Sequence, residues 1–267
     1  MVHDVGRDAA VTARLQPLID EMDRVVAECR ERGDRAGYFA ALYRNVTREV
    51  ARRCAAGQFA DPERMAVFTT AFARRYLDAY AAWRGGRPVT EAWSAAFVMT
   101  DKWRPLILQH LLLGMNAHIN LDLGVVAAEA GDRNGLDTIA ADFHQINQLL
   151  AEMIAGCQAA VTTVSPWLGL LDRLGGRTDT TVVRFSLVRA REAAWHTAQR
   201  LAPMPAPERD AAIVALDRDI HGLSKLVTRG PLLVNVGAFV VRLRERSNVR
   251  QVIDVLAKPV VLPPVSL

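Results

Sequence analysis

The stretch PLILQHLLLGMNAHINLDLGVVAAEA, residues 105–130, decides how this chain folds. Drawn as a helix at ~100° per residue, it sends Leu106, Leu108, Leu111, Leu112, Leu113, Met115, Ile119, Leu121 and Leu123 in almost every direction. A helix apolar on all sides is covered on all sides, so the segment is expected to form the buried centre of a helical fold. His110, Asn116, His118, Asn120 and Asp122 would be expensive in lipid, so a core helix is expected here rather than a transmembrane segment.

Helical spacing continues on both sides of it. Leu18, Ile19, Met22, Val25, Val26 and Cys29 make one stripe, stopped by Gly33. Tyr38, Phe39, Leu42, Tyr43, Val46 and Val50 make a second, closed by Gly57. Asp61-Pro62, a capping residue followed by a proline at the first helical position, opens a third that runs through Phe72, Tyr76 and Tyr80 to Gly85-Gly86. Thr90-Glu91 opens a fourth with Trp93 and Phe97. The central helix is expected from about Arg104 to Gly131. Further helices are expected over Leu136–Thr163 and Thr180–Leu201, with two or three more ending by Ala257. The run Pro203-Met204-Pro205-Ala206-Pro207 is short enough to be a turn between packed helices. The expected fold class is therefore all-α. It is a single bundle-like domain over residues 1–267 of about eight to ten helices around a buried central helix. The helical core is placed at 8–257 and an irregular tail at 258–267. Internal repeats, a glycine-rich phosphate loop and alternating strand patterns are missing from the sequence.

Composition narrows the function classes. The net charge is +4 over 267 residues. The basic runs Arg52-Arg53, Arg74-Arg75 and Arg242 to Arg246 are spread along the chain and sit beside apolar helix positions. That reads as solvated helix faces, and nucleic acid is not an expected partner. Cys29, Cys54 and Cys157 are odd in number and widely spaced, which suggests neither a disulfide framework nor a zinc ribbon. Met1-Val2-His3-Asp4 lacks the features of a signal peptide, so a cytoplasmic location is expected.

The chemistry is concentrated in the polar residues of the central helix, because a buried polar group must find a partner or cost a few kcal/mol. Gln109, Asn116 and Asn120 fall within ~40° of one another, and His110, His118 and Asp122 within ~120°. His118 and Asp122 are four apart and therefore stacked neighbours. A carboxylate beside an imidazole holds it in one tautomer and raises its basicity, which suits a general base. Gly114, between the two histidines, leaves room for a close approach. His118, Asp122 and His110 are the candidate catalytic residues. Asn116, Asn120, Gln109, Asp142, Arg191 and Trp195 are the candidate substrate contacts. Asp142 falls in the apolar stripe of the Leu136–Thr163 helix and needs a cation or a raised pKa. Arg184 and Arg191 are candidate partners for Asp142 or Asp122. Glu192 with His196 reads as a surface pair, His221 as structural, and His3 as terminal.

QHLLLGMNAHINLDL, residues 109–123, resembles a bacterial family catalogued as domain of unknown function 5995. Tyr38 to Tyr43, Phe72 to Tyr80, Asp142-Phe143, Ile146-Asn147, Ser165-Pro166, Ala190-Arg191 and Ala194-Trp195 extend the likeness over most of the chain. The resemblance implies one helical domain, mostly from actinobacteria, and brings no activity with it. His118-x-x-x-Asp122 is also similar, by analogy alone, to the zinc-dependent helical phospholipase C and single-strand nuclease group. That group's flanking ligands are not matched here.

The expected function is an enzyme acting on a small, largely hydrophobic substrate by His/Asp acid–base chemistry of the cyclisation, isomerisation or elimination type. The alternatives are a metal-dependent hydrolase or other metalloenzyme, with ligands among His118, Asp122, Asp142 and His144, and a non-catalytic ligand-binding or structural protein. The leading expectation needs no cofactor; a divalent metal belongs to the first alternative.

Overall fold

A computed structural model of the chain describes residues 5–165, 180–228, 241–245 and 248–259. Among the described residues all regular structure is helical. The helices are α1 (Val5–Arg32), α2 (Ala36–Ala55), α3 (Pro62–Arg84), α4 (Glu91–Thr100), α5 (Ile107–Met115), α6 (Leu123–Asn134), α7 (Asp137–Val164), α8 (Thr180–Leu201), α9 (Ala206–Thr228) and α10 (Val249–Leu256). The expected all-α fold is therefore what the chain adopts. The tail beyond residue 259, His3 and the side chain of Arg184 lie outside the described residues.

The helix boundaries follow local chemistry. Gly33, Gly57 and Gly86 take positive φ at the ends of α1, α2 and α3, a conformation that costs glycine little. Asp61 caps α3 by accepting from the Arg64 amide, with Pro62 at the first position. α1 passes straight through Pro17, whose missing N–H falls on the exposed side of the helix. The central helix begins at Ile107 rather than near Arg104. Its first amides are met by side chains: Gln109 Oε1 accepts from Leu106 N, and the Glu245 carboxylate accepts from Ile107 N. A carboxylate there also complements the positive end of the helix dipole.

α5 and α6 are the two ends of one helix, joined by a π-helical segment over Asn116–Asp122. Within it the Leu123 amide donates to His118 O, five residues back. The wider turn shifts the angular register of everything beyond it, so the two stripes read on an ideal wheel do not survive intact. The span Ile107–Gly131 is long and apolar enough to cross a membrane by length and composition, and most of it is buried inside the fold. α2, α4, α8 and α9 pack around it. Leu112, 38% exposed, and Glu129 are the breaks in its cover. Two glycines bring neighbours close. A Cβ on Gly114 would lie 2.5 Å from Phe39 Cγ, and one on Gly124 would lie 2.9 Å from Thr197 Cγ2.

Two buried aspartates fix the helices that bear on the site. Asp142, on α7, accepts from the Ala60 and Asp61 amides at the entry to α3. Asp217, on α9, accepts from the Glu91 and Ala92 amides at the start of α4. Each carboxylate meets otherwise unsatisfied helix-end donors, so Asp142 needs no cation.

Candidate functional site

His118 sits in the π-helical turn and is almost wholly buried, at 2% exposure. Aromatic side chains from three helices enclose its ring. Phe72 of α3 stacks face to face on it at 3.7 Å between centroids, and Tyr43 of α2 meets it edge-on at 4.2 Å. Phe39, Tyr76 and Trp93 complete the box at 5.9, 6.4 and 6.1 Å. Phe39 reaches the ring because Gly114, one turn earlier, has no side chain to hold α2 away.

Asp122 is the polar centre of this box. Its Oδ1 accepts from Arg75 Nε at 3.0 Å, and its Oδ2 accepts from Trp93 Nε1 at 2.9 Å. His118 Nδ1 lies 3.4 Å from the same Oδ2, so Nδ1 carries the proton and Nε2 is left with its lone pair. Nε2 has no hydrogen-bond partner among the described residues, nor has the Tyr76 hydroxyl. Burial depresses the His118 pKa, the Asp122 hydrogen bond and charge oppose that, and Arg75 adds to the depression. The imidazole is therefore neutral, oriented, and bare at one nitrogen. Burial also drives the Tyr76 phenol well above its ordinary pKa, keeping it protonated.

Arg75 is the charged partner that sequence reasoning missed, having taken Arg74-Arg75 as a solvated face. Its guanidinium bridges from solvent, at 30% side-chain exposure, to a carboxylate at 2%. The available signal was spacing: Arg75 follows Phe72 by three residues on the apolar edge of α3, and Asp122 had to find a cation. Trp93, Tyr43, Phe72 and Tyr76 were assigned to the core. They are core residues that also line the histidine.

The other expected site residues lie elsewhere. His110 faces Tyr38 at 5.7 Å, in contact with α2 but separate from the His118 box, so the single His110–His118–Asp122 stripe is not formed. Neither His110 nitrogen has a partner among the described residues, and burial takes its pKa to about 3, with Arg35 and Arg242 contributing. The amides form a seam that ties the central helix to α9. Asn116 donates to Ile220 O and Ser224 Oγ on α9, Asn120 donates to Asn116 Oδ1, and Gln109 donates to Val227 O. Arg191 pairs with neither Asp142 nor Asp122. It donates to Asn147 Oδ1 and Phe143 O and lies over the Phe143 ring. Trp195 packs on Phe143 and on the exposed His144. His196 is exposed beside Gln199, and His221 meets Glu91 O.

Among the described residues no group of three or more His, Cys, Asp or Glu side chains converges as a metal site would require. His118 and Asp122 supply two donors, and the Arg75 guanidinium already holds Asp122 Oδ1. Asp142 is committed to the α3 entry and His144 is exposed beside Trp195, so the candidate ligands His118, Asp122, Asp142 and His144 do not converge on one point. Two shallow depressions on the surface lie beside Asp142 and beside Arg191, and neither is lined by His118.

No curated protein and no solved structure gives a match to the chain. One family model does, over residues 15–230, which takes in α2 to α9 and most of α1. Since that is most of the chain, the protein belongs to the family of unknown function DUF5995.

Proposed function

We propose that the protein is an enzyme that moves a proton on a small, largely apolar substrate, with His118 as general base and Asp122 as the residue that orients it. The observation that carries this reading is the state of the imidazole. Nδ1 is tied to Asp122, Nε2 is bare, and the ring is enclosed by aromatic side chains, surroundings that suit a planar apolar molecule once one of them gives way. A buried, unpartnered polar atom costs about 1–3 kcal/mol, and here that atom is the proton-accepting nitrogen of an oriented imidazole. Placement in a π-helical turn supports the reading, because such turns recur at functional sites. Substrate entry calls for Phe72 to swing aside. It is the partly exposed member of the box, and it covers one face of the imidazole. A protonated Tyr76 is the candidate hydrogen-bond donor for the group that gains charge.

A second reading, a non-catalytic ligand-binding or structural protein, is favoured by the partnering of both Asp122 oxygens and by the amide seam. One experiment separates the two. 5-Nitrobenzisoxazole is a planar apolar probe whose ring opens when a base takes its carbon-bound proton. The wild-type protein is expected to open it faster than free imidazole does. His118→Gln should lose the rate, and Asp122→Asn should reduce it, with both variants folded by circular dichroism. Equal rates for wild type and His118→Gln, together with equal reactivity toward diethyl pyrocarbonate, would sink the catalytic reading. Early melting of both variants with binding retained per folded molecule would favour the structural one.

A further inference from the structure

Three segments that are distant in sequence meet at the N-terminal end of the central helix. The loop after α4 is held there through Trp103 O, which accepts from Arg242 Nε. The segment 241–245, helical through residue 244, is held by Glu245, which takes the Ile107 amide and the Ser165 hydroxyl. The end of α9 is held by the Gln109 bond to Val227 O. The polar groups that fasten this end face inward, and what the three segments turn outward is of a different kind. Trp103, Leu226 and Leu243 are 49%, 73% and 61% exposed. Lys102, Arg104, Lys225 and Arg244 are exposed with them, against a single exposed carboxylate on these segments, Asp101.

Large apolar side chains interleaved with cations are unusual on a free surface. The combination selects among occupants. A second copy of the same face would set cations against cations. A nucleic acid would satisfy the cations and leave Leu226 and Leu243 with nothing to bury into. An anionic bilayer answers both: phosphates for the Lys and Arg side chains, acyl chains for the leucines, and the interfacial layer for the indole. We propose that this end of the fold docks on anionic lipid surfaces, with Leu226 and Leu243 inserted, Trp103 beside them at the interface, and Lys102, Arg104 and Lys225 on the headgroups. This inference is independent of His118 chemistry.

The test is sedimentation of the full chain with vesicles of phosphatidylcholine alone and with an equal share of phosphatidylglycerol. Binding is expected to the mixed vesicles, to weaken with added salt, and to be much lower on phosphatidylcholine. Each cation near such a surface contributes about fivefold in affinity, so Lys102→Glu with Lys225→Glu should lower binding about 25-fold or more. Leu226→Ser with Leu243→Ser should lower it several-fold without changing the helical content, since both side chains are already in solvent. Brominated lipid should quench the wild type but not Trp103→Phe. Arg14→Glu, exposed on α1 and outside these three segments, should change binding little. Absence of binding to the mixed vesicles overturns the proposal. So does an equal loss from Arg14→Glu and Lys225→Glu, which would mean attraction by overall charge only. Binding unaffected by the leucine changes would point instead to a soluble acidic or nucleic-acid partner and would equally overturn it.

Discussion

Phe72 and His118 lie face to face, 3.7 Å between ring centroids and within 8° of parallel. Phe72 is the partly exposed one of the two, so it is the cover over a dry imidazole. Phe72→Ala should therefore raise the rate at which diethyl pyrocarbonate modifies His118 by about tenfold or more. Full truncation of a buried phenylalanine costs about 3–5 kcal/mol, and the partial exposure of Phe72 puts its cost nearer 2. An unchanged modification rate in a folded variant would show that the ring is reached by another route or not at all.

The Arg75–Asp122 pair is unequal, because the guanidinium is partly in water and the carboxylate is not. Removing the carboxylate leaves Arg75 able to hydrate but strands Trp93 Nε1–H and His118 Nδ1–H. Removing the guanidinium strands a buried charge that retains those two donors. Asp122→Ala and Arg75→Met are each expected to cost about 3 kcal/mol, at the lower end for breaking a buried pair. A double-mutant cycle should return a coupling of about 1–3 kcal/mol. A coupling near zero in urea unfolding would mean that solvent screens the pair and that Trp93 alone holds Asp122.

Gly114 and Gly222 make a matched test of packing. A Cβ at Gly114 would sit 2.5 Å from Phe39 Cγ, while one at Gly222, in the exposed part of α9, would meet nothing within 4 Å. Gly114→Ala should destabilise by about 1–3 kcal/mol through overpacking, and it should perturb the His118 box that Phe39 borders. Gly222→Ala should stabilise by about 0.5–1 kcal/mol, the ordinary gain of alanine over glycine in a helix. Melting temperatures that move in the same direction for both would contradict the close approach of α2 to the central helix.

The all-α fold was legible because apolar spacing and caps agree at nearly every boundary. Asp61-Pro62 starts α3 and Gly33, Gly57 and Gly86 stop their helices where expected. The site was legible in part. His118 beside Asp122 follows from a four-residue spacing, which survives the π-helical turn. What did not follow is which groups are already satisfied. An ideal wheel places Asn116 and Gln109 toward an interior, but only tertiary packing shows that they meet α9 carbonyls. Asp142 looked like a carboxylate in search of a cation, because the amides it caps lie 81 and 82 residues away. Arg75 was hidden by the opposite effect: a charge on a helix edge is usually solvated, and its reach inward depends on how α3 sits against the central helix.

Stability should fall as the solution is acidified from pH 7, and His110 should be a principal cause. Its folded pKa is depressed from 6.5 to about 3 by burial first, with Arg35 and Arg242 adding to it. The unfolded chain therefore takes up a proton below pH 6.5 that the folded chain refuses. This contribution to stability is complete above that pH and is lost as pH falls toward 3, with a slope of about 1.4 kcal/mol per unit. Between pH 7 and 5 that amounts to about 2 kcal/mol. His118, whose pKa is also lowered, acts in the same direction. Glu245, near the same end of the helix, opposes it. Its carboxyl is raised by burial, so the folded chain takes that proton first and gains stability as pH falls. The His110 share is isolated by comparing urea unfolding of the wild type and His110→Phe at both pH values. The variant should lose about 2 kcal/mol less than the wild type on acidification. Equal losses in the two proteins would mean that His110 accepts a proton in the folded state, and that its nitrogens have access to water or to a carboxylate.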